Sequence, residues 1–172
     1  MTEQNNPFHK KKSGVFFFKS SNPYEFYDLL NGIDMEPKQD VWGTLIFPEN
    51  AKLPCPVIVP IHGSAGLREG HHTHMVNLLE AGFAVFRIHH FESRGVISIV
   101  ENQTQVTLAT MITDAFRALA LLNKHPDIDK NKIGIMGWSL GGSTALYAAW
   151  QPIIDALTTG DEKFSAYLPL YP

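Results

Sequence analysis

The fold of this chain is decided by the stretch Ile133-Gly-Ile-Met-Gly-Trp-Ser-Leu-Gly-Gly142. An apolar run stops at Gly137, a serine follows two positions later, and the small residues after it predict a helix over 143–150. G-x-S-x-G between a strand and a helix is typical of a nucleophile elbow, in which Cβ atoms at Gly137 and Gly141 would collide. We therefore predict that Ser139 is a catalytic nucleophile in a strained backbone conformation. The alternative is a glycine-rich packing turn.

A second glycine-rich segment, His62-Gly-Ser-Ala-Gly66, follows another apolar run at 56–61. A serine that attacks an acyl carbon needs hydrogen-bond donors for the oxyanion. In an elbow these are the N–H after the nucleophile and one from the loop after an earlier strand. We predict the Leu140 N–H as the first donor and the Ser64 N–H as the second, with Ala65 as the alternative.

Residues that follow the ends of buried strands are candidates for binding substrate, because ligands bind at the carboxyl ends of strands in open α/β sheets. The predicted substrate-binding residues are His62, Gly63, His90, Glu92 and Trp138. For His62, a structural role in shaping the loop is favoured over catalysis. His71 and His74 could share a helix face, but no Cys, Asp or Glu joins them at a recognised metal-binding spacing. We predict no metal site and no cofactor.

Composition indicates an ordinary globular protein of 172 residues, enough for one domain. The net charge of −3 gives no reason to expect a nucleic-acid partner, and the lysines at 10–12 are expected to form a solvated tail. The one cysteine, Cys55, excludes an internal disulfide and suits a reducing compartment. The apolar run 15–18 is too short for a signal peptide, and no window is apolar enough for a membrane span. We predict a cytoplasmic protein; its oligomeric state is left open.

Residues 1–14 are predicted to be an N-terminal tail, and 15–172 to belong to a single domain. Strand-like and helix-like segments alternate, which favours βαβ units and a mostly parallel sheet covered on both faces. The region 152–162 is expected to be a loop. Besides the strand that enters the elbow, the predicted strands are 15–19, 41–47, 56–61, 83–88 and 164–171. The predicted helices are 24–30, 73–81, 105–123 and 143–150.

Five pieces of the sequence resemble the dienelactone hydrolase branch of the α/β-hydrolase superfamily: 57–66, 82–88 with Arg94-Gly95, Asp114, 125–142 and 166–172. The resemblance implies a three-layer α/β sandwich with a mostly parallel sheet. It also implies hydrolysis of a small-molecule carboxylic ester or lactone by a Ser/His/Asp triad, without a cofactor.

This sequence departs from the family at three points. The name-giving enzymes carry cysteine where this chain has Ser139, which points to a general esterase. His89 stands where many relatives have Asp, and this affects the expected substrate. The family's catalytic Asp and His lie beyond the strand that matches 164–171. We therefore expect a fragment with the final strands missing, whose acid and base are encoded beyond residue 172 and which is nearly inactive by itself. The alternatives are a base from an upstream histidine or another chain, and a non-catalytic binding protein of the same fold.

Overall fold

The computed structural model describes residues 13–160 and 162–172. Its six strands are β1 (Gly14–Ser20), β2 (Gln39–Ile46), β3 (Cys55–Ile61), β4 (Ala84–Ile88), β5 (Ile128–Trp138) and β6 (Ala166–Leu170). Its five α-helices are α1 (Phe26–Asn31), α2 (Glu69–Glu80), α3 (Leu108–Leu122), α4 (Leu140–Tyr147) and α5 (Gln151–Leu157). A short 3₁₀ turn covers Glu92–Arg94.

The strands form one open sheet in the order β1-β2-β4-β3-β5-β6. The pairs β4–β3, β3–β5 and β5–β6 are parallel. The pairs β1–β2 and β2–β4 are antiparallel, so β2 runs against its two neighbours. The prediction of a mostly parallel sheet is confirmed, and the antiparallel pairing is confined to the N-terminal edge.

Helices cover both faces of this sheet, as the three-layer prediction requires. Across the sheet, the chain moves from β3 to β4, toward the edge formed by β1. It then crosses back over β3 to reach β5, toward the edge formed by β6. Because crossovers between parallel strands are right-handed, this reversal puts α2 and α3 on opposite faces. The next step, from β5 to β6, continues in the second direction, and α4 accordingly packs against α3. The central strands β3 and β5 are therefore buried between two helical layers.

Helix α3 begins at Leu108 because the Thr107 side chain caps it, accepting a hydrogen bond from Thr110 N at 3.2 Å. The prediction of a loop over 152–162 is wrong, since α5 occupies Gln151–Leu157. Pro152 lies in the first turn of α5, where a missing N–H costs nothing, so it starts this helix. Ile153 and Ile154 then give α5 a buried face.

Both ends of the described chain lie at sheet edges. Strand β1 begins at Gly14, inside the predicted tail, and residues 1–12 of that tail lie outside the described residues. Strand β6 pairs with β5 alone among the described strands, with Leu168 48% and Tyr171 69% exposed. Within the described residues, no helix has the length and apolar character needed to cross a bilayer.

Candidate active site

The elbow forms where β5 ends and α4 begins. Ser139 lies between them with φ 54° and ψ −121°, a region that residues other than glycine rarely occupy. The Ser139 N–H donates to Leu170 O at 3.1 Å, and the Ser139 carbonyl accepts from Ser143 N at 2.9 Å. The strained conformation is thus held from both sides, and the Ser139 side chain is left exposed.

Two glycines allow this turn to form. A Cβ on Gly137 would lie 1.9 Å from Gly141 O, and one on Gly141 would lie 2.1 Å from Ile61 O at the end of β3. Real atoms cannot approach so closely, and the atoms opposed to them are backbone, which cannot move aside. The steric role predicted for these two glycines is confirmed.

The loop 62–66 runs directly beside the elbow. A Cβ on Gly63 would lie 3.2 Å from Ser139 Cβ, so only glycine fits here without displacing a neighbour. Gly66 N donates to Gly63 O at 3.0 Å, and Ile99 N donates to Ser64 O at 2.8 Å. Within the described residues, the N–H groups of Ser64 and Ala65 have no hydrogen-bond acceptor. Both predicted candidates for the second oxyanion donor are therefore available to a ligand.

A cavity of about 270 Å³ opens over Ser139. Its lining residues are Gly63, Ser64, Ala65, Gly66, Arg68, His71, Val100, Trp138, Ser139 and Tyr171. Two of the predicted substrate-binding residues, Gly63 and Trp138, are among them. The predicted donor residue Leu140 is the first residue of α4, immediately after the serine.

Trp138 lines one side of the cavity and stacks against His71. The ring centroids of His71 and Trp138 are 4.4 Å apart with an interplanar angle of 21°. The His71 Nδ1 atom accepts a hydrogen bond from Arg68 N at 3.0 Å, so this nitrogen carries no proton. Burial lowers the pKa of His71, and the positive charges of His74, His72 and Arg68 lower it further. At neutral pH the His71 imidazole that lines the cavity is therefore uncharged.

His62 and His90 do not line the cavity, although both were predicted to bind substrate. They are 2% and 0% exposed, and the His62 ring packs against the rings of His90 and Phe91. The His62 Nδ1 atom lies 2.9 Å from Gly63 O, to which it donates. Burial lowers the pKa of His62 to about 4, and the charge of His90 adds to the shift. His62 therefore contacts the backbone of the loop, whereas His90 is bonded to Asp114.

His90 belongs to a buried polar cluster centred on Asp114 of α3. The Asp114 carboxylate accepts from Ser20 Oγ at 2.5 Å, from His90 Nδ1 at 2.8 Å, and from Arg94 Nη1 and Nη2 at 2.9 and 3.0 Å. Burial alone would raise the pKa of Asp114, but the hydrogen bond from His90 and the charge of Arg94 outweigh it and lower the pKa. Asp114 is therefore an anion with no exposure to solvent.

Glu92 lies outside the cavity above Ser139. It forms an ion pair with Arg87, and its carboxylate lies 3.4 Å from His89 Nδ1. It lines a neighbouring cavity of about 280 Å³ that shares residues 65, 66 and 68 with the first. Burial would raise the pKa of Glu92, but the His89 hydrogen bond and the Arg87 charge bring it down to about 2. Contact between Glu92 and a substrate stays a prediction.

Ser139 has no hydrogen-bonded base in the part of the chain that the structure describes. None of the histidines described there forms a hydrogen bond with the Ser139 hydroxyl. Across residues 13–160 and 162–172, no group of three or more His, Cys, Asp or Glu side chains could hold a metal ion.

The sequence of residues 44–167, well over half of the chain, matches the model of the BD-FAE family. The chain belongs to the BD-FAE family. Comparison with curated protein sequences gives no match.

Solved structures similar to this chain include hydrolases. A protein from Klebsiella pneumoniae described as a dienelactone hydrolase is 19% identical, with a TM-score of 0.56 over 81% of this chain and 57% of that one. A dienelactone hydrolase from Anabaena variabilis is 20% identical, with a TM-score of 0.55 over 81% and 58%. A thermostable carboxyl esterase from Bacillus coagulans is 16% identical, with a TM-score of 0.52 over 82% and 41%. The predicted α/β-hydrolase fold is confirmed, and this BD-FAE chain spans about half the length of these relatives.

The sequence prediction missed the roles of Asp114 and Ser20. It also missed several side chains that line the cavity, among them Arg68, His71, Val100 and Tyr171. Asp114 did carry a signal, because a lone carboxylate lies among the apolar residues of α3. A charge at a buried helix position requires a buried partner. The identity of that partner depends on the tertiary structure.

Proposed function

We propose that this BD-FAE protein is a serine hydrolase of carboxylic esters or lactones with Ser139 as its nucleophile. The proposal depends mainly on one observation: Ser139 occupies a strained φ of 54° beside a loop whose Ser64 and Ala65 amides have no acceptor among the described residues. Strain of this kind concentrates at functional sites. The fold of the related hydrolases supports the same chemistry.

In the proposed reaction, a base takes the proton of the Ser139 hydroxyl as its Oγ attacks the carbonyl carbon of the substrate, and the carbonyl π electrons move to the carbonyl oxygen. The Leu140 and Ser64 N–H groups donate to this oxyanion, with Ala65 as the alternative second donor. Collapse of the intermediate breaks the bond to the alcohol oxygen, which takes the proton from the base, and leaves an acyl-enzyme that water then hydrolyses. Each such donor typically contributes about 2.7–4 kcal/mol of transition-state stabilisation.

The proposed reaction also needs a proton acceptor for Ser139, which none of the described histidines provides. His62 and His90 do not suit this role, because they are 2% and 0% exposed and neither lines the cavity above Ser139. Neither ring forms a hydrogen bond with the Ser139 hydroxyl, since the bonds of their Nδ1 atoms go to Gly63 O and Asp114. We propose that the base and its orienting acid come from polypeptide outside the described residues. Losing the histidine of a serine hydrolase costs on the order of 10⁶ in kcat, so the 172-residue chain alone should be nearly inactive.

The cavity favours a small acyl group. Its volume of about 270 Å³ and its walls of Trp138, Val100 and Tyr171 suit a compact, largely apolar group. No step of this chemistry calls for a cofactor. A cytoplasmic location stays a prediction that rests on the lone cysteine.

A fluorophosphonate probe tests the proposal on the full-length polypeptide, because only an activated serine is phosphonylated. We expect labelling of the wild type and complete loss in Ser139→Ala. The matched control is Ser143→Ala, one turn along α4, which should label like the wild type. Labelling that persists in Ser139→Ala would contradict the assignment. An unlabelled wild type would favour a non-catalytic, ligand-binding member of the fold.

A further inference from the structure

We propose that His90, anchored by Asp114, is a positioning residue that aims the Ser64 N–H at the oxyanion and acts through His62. This inference rests on the proposed hydrolase function. It concerns residues that have no contact with the cavity above Ser139. The connection runs in three steps from α3 to the loop 62–66.

The first step fixes His90. Its Nδ1 donates to Asp114 Oδ2 at 2.8 Å, and Asp114 is itself held by Arg94 through two further bonds. Arg94 Nη1 also donates to the His90 carbonyl at 2.9 Å, so both the ring and the backbone of His90 are tied to the same cluster. Charge-assisted bonds between buried groups are strong and directional, which makes His90 a rigid element.

The second step passes from His90 to His62. The two ring centroids are 5.7 Å apart and the rings are nearly perpendicular, at 83°. Each ring has a buried Nε2 atom with no hydrogen-bond partner among the described residues. On another side, Phe91 packs against the His62 ring with centroids 4.4 Å apart. His62 is therefore confined between the rings of His90 and Phe91.

The third step passes from His62 to the oxyanion donor. The His62 Nδ1–H donates to Gly63 O at 2.9 Å, and Gly66 N donates to the same carbonyl at 3.0 Å. In a planar trans peptide the C=O and the following N–H point in opposite directions. Fixing the Gly63 carbonyl therefore fixes the direction of the Ser64 N–H.

Two variants of His90 separate the two sides of its ring. In His90→Asn the amide nitrogen replaces Nδ1 and can keep the bond to Asp114, but the ring that packs against His62 is lost. In His90→Gln the amide nitrogen replaces Nε2, and the bond to Asp114 is lost instead. In the full-length polypeptide, both should lower kcat of ester hydrolysis by at least about tenfold and leave KM within about threefold, since the donor acts in the transition state.

The matched control is His125→Asn. His125 is 3% exposed and lies just beyond α3, near Phe47 and away from the cavity. Its replacement perturbs a buried histidine of the same domain, so a general loss of packing would appear there too. We expect kcat of the folded His125→Asn enzyme to match the wild type. Equal losses in the His90 and His125 variants would overturn the positioning role.

A second measurement needs no activity. Nitrogen-15 NMR of the wild-type protein should find the His62 proton on Nδ1, and a proton on Nε2 alone would overturn the proposal even if no variant folds. In the His90 variants the Ser64 amide resonance should shift, whereas in His125→Asn it should not. A shifted Ser64 resonance in a protein without hydrolytic activity would uphold the positioning and reject the hydrolase. Reduced kcat with an unshifted Ser64 amide would reject the positioning role and uphold the hydrolase.

Discussion

The elbow at 137–142 and the cluster around Asp114 fix the backbone by opposite means. At the elbow, positions are set by repulsion: a single added carbon on Gly137 would lie 1.9 Å from a carbonyl oxygen. Around Asp114, positions are set by attraction, with one carboxylate accepting four hydrogen bonds from three side chains. The first region presents an exposed serine, and the second is closed to solvent.

This contrast predicts how each region responds to a substitution. Repulsion between backbone atoms rises steeply and offers no relaxation, so a small substitution at the elbow should be severe. Attraction within a buried cluster is shared among several partners, so its loss should be graded.

Gly137→Ala should destabilise the protein by at least about 4 kcal/mol, because the new carbon clashes with backbone atoms of α4 that cannot move aside. Urea denaturation gives the measurement. The control is Gly70→Ala at the start of α2, where nothing lies within 4 Å and alanine should stabilise by about 0.5 kcal/mol. Wild-type stability in Gly137→Ala would show that repulsion does not set the elbow.

Asp114→Ala should cost about 3–5 kcal/mol, because it leaves the buried Arg94 without its counter-ion and His90 without its acceptor. The control is Asp40→Ala, which removes an ion pair with Lys19 whose side chains are 73% and 58% exposed. An exposed pair contributes at most about 1 kcal/mol. The two midpoints in urea should differ clearly, and similar midpoints would mean that the cluster is not the rigid element inferred above.

His62 should make the protein less stable in mild acid. Its pKa falls from 6.5 to about 4 on folding, so between these values the unfolded chain binds a proton that the folded chain does not. His62 therefore leaves the free energy of unfolding unchanged above pH 6.5 and lowers it by about 3 kcal/mol by pH 4. Denaturation at a series of pH values measures this loss.

The comparison variant is His62→Asn, whose amide nitrogen can still donate to Gly63 O but does not titrate. Its stability should change less than that of the wild type between pH 6.5 and 4.5. The pKa values of Glu92 and Asp114 are lowered, so their contributions are lost only below the ordinary carboxyl range. Parallel curves for the two proteins would contradict the buried, neutral state of His62.

The amino-acid sequence by itself determined the elements whose cause is local. The elbow, the loop 62–66 and the alternation of strands and helices follow from glycine sterics and apolar periodicity, both of which are read from contiguous residues. The error at α5 came from reading Pro152 as part of a loop when it begins a helix. The same reasoning named Ser139, Leu140 and Ser64 as a group.

Only the tertiary structure decided which distant side chains meet. The Asp114 cluster joins the end of β1, the turn after β4 and the middle of α3, which strand order and crossover handedness bring together. The same geometry buries His62 and His90 and brings Val100, His71 and Tyr171 to the cavity. A sequence pattern reports which residues need partners, because burial imposes that need locally. Their identity depends on packing between elements, which no local pattern contains.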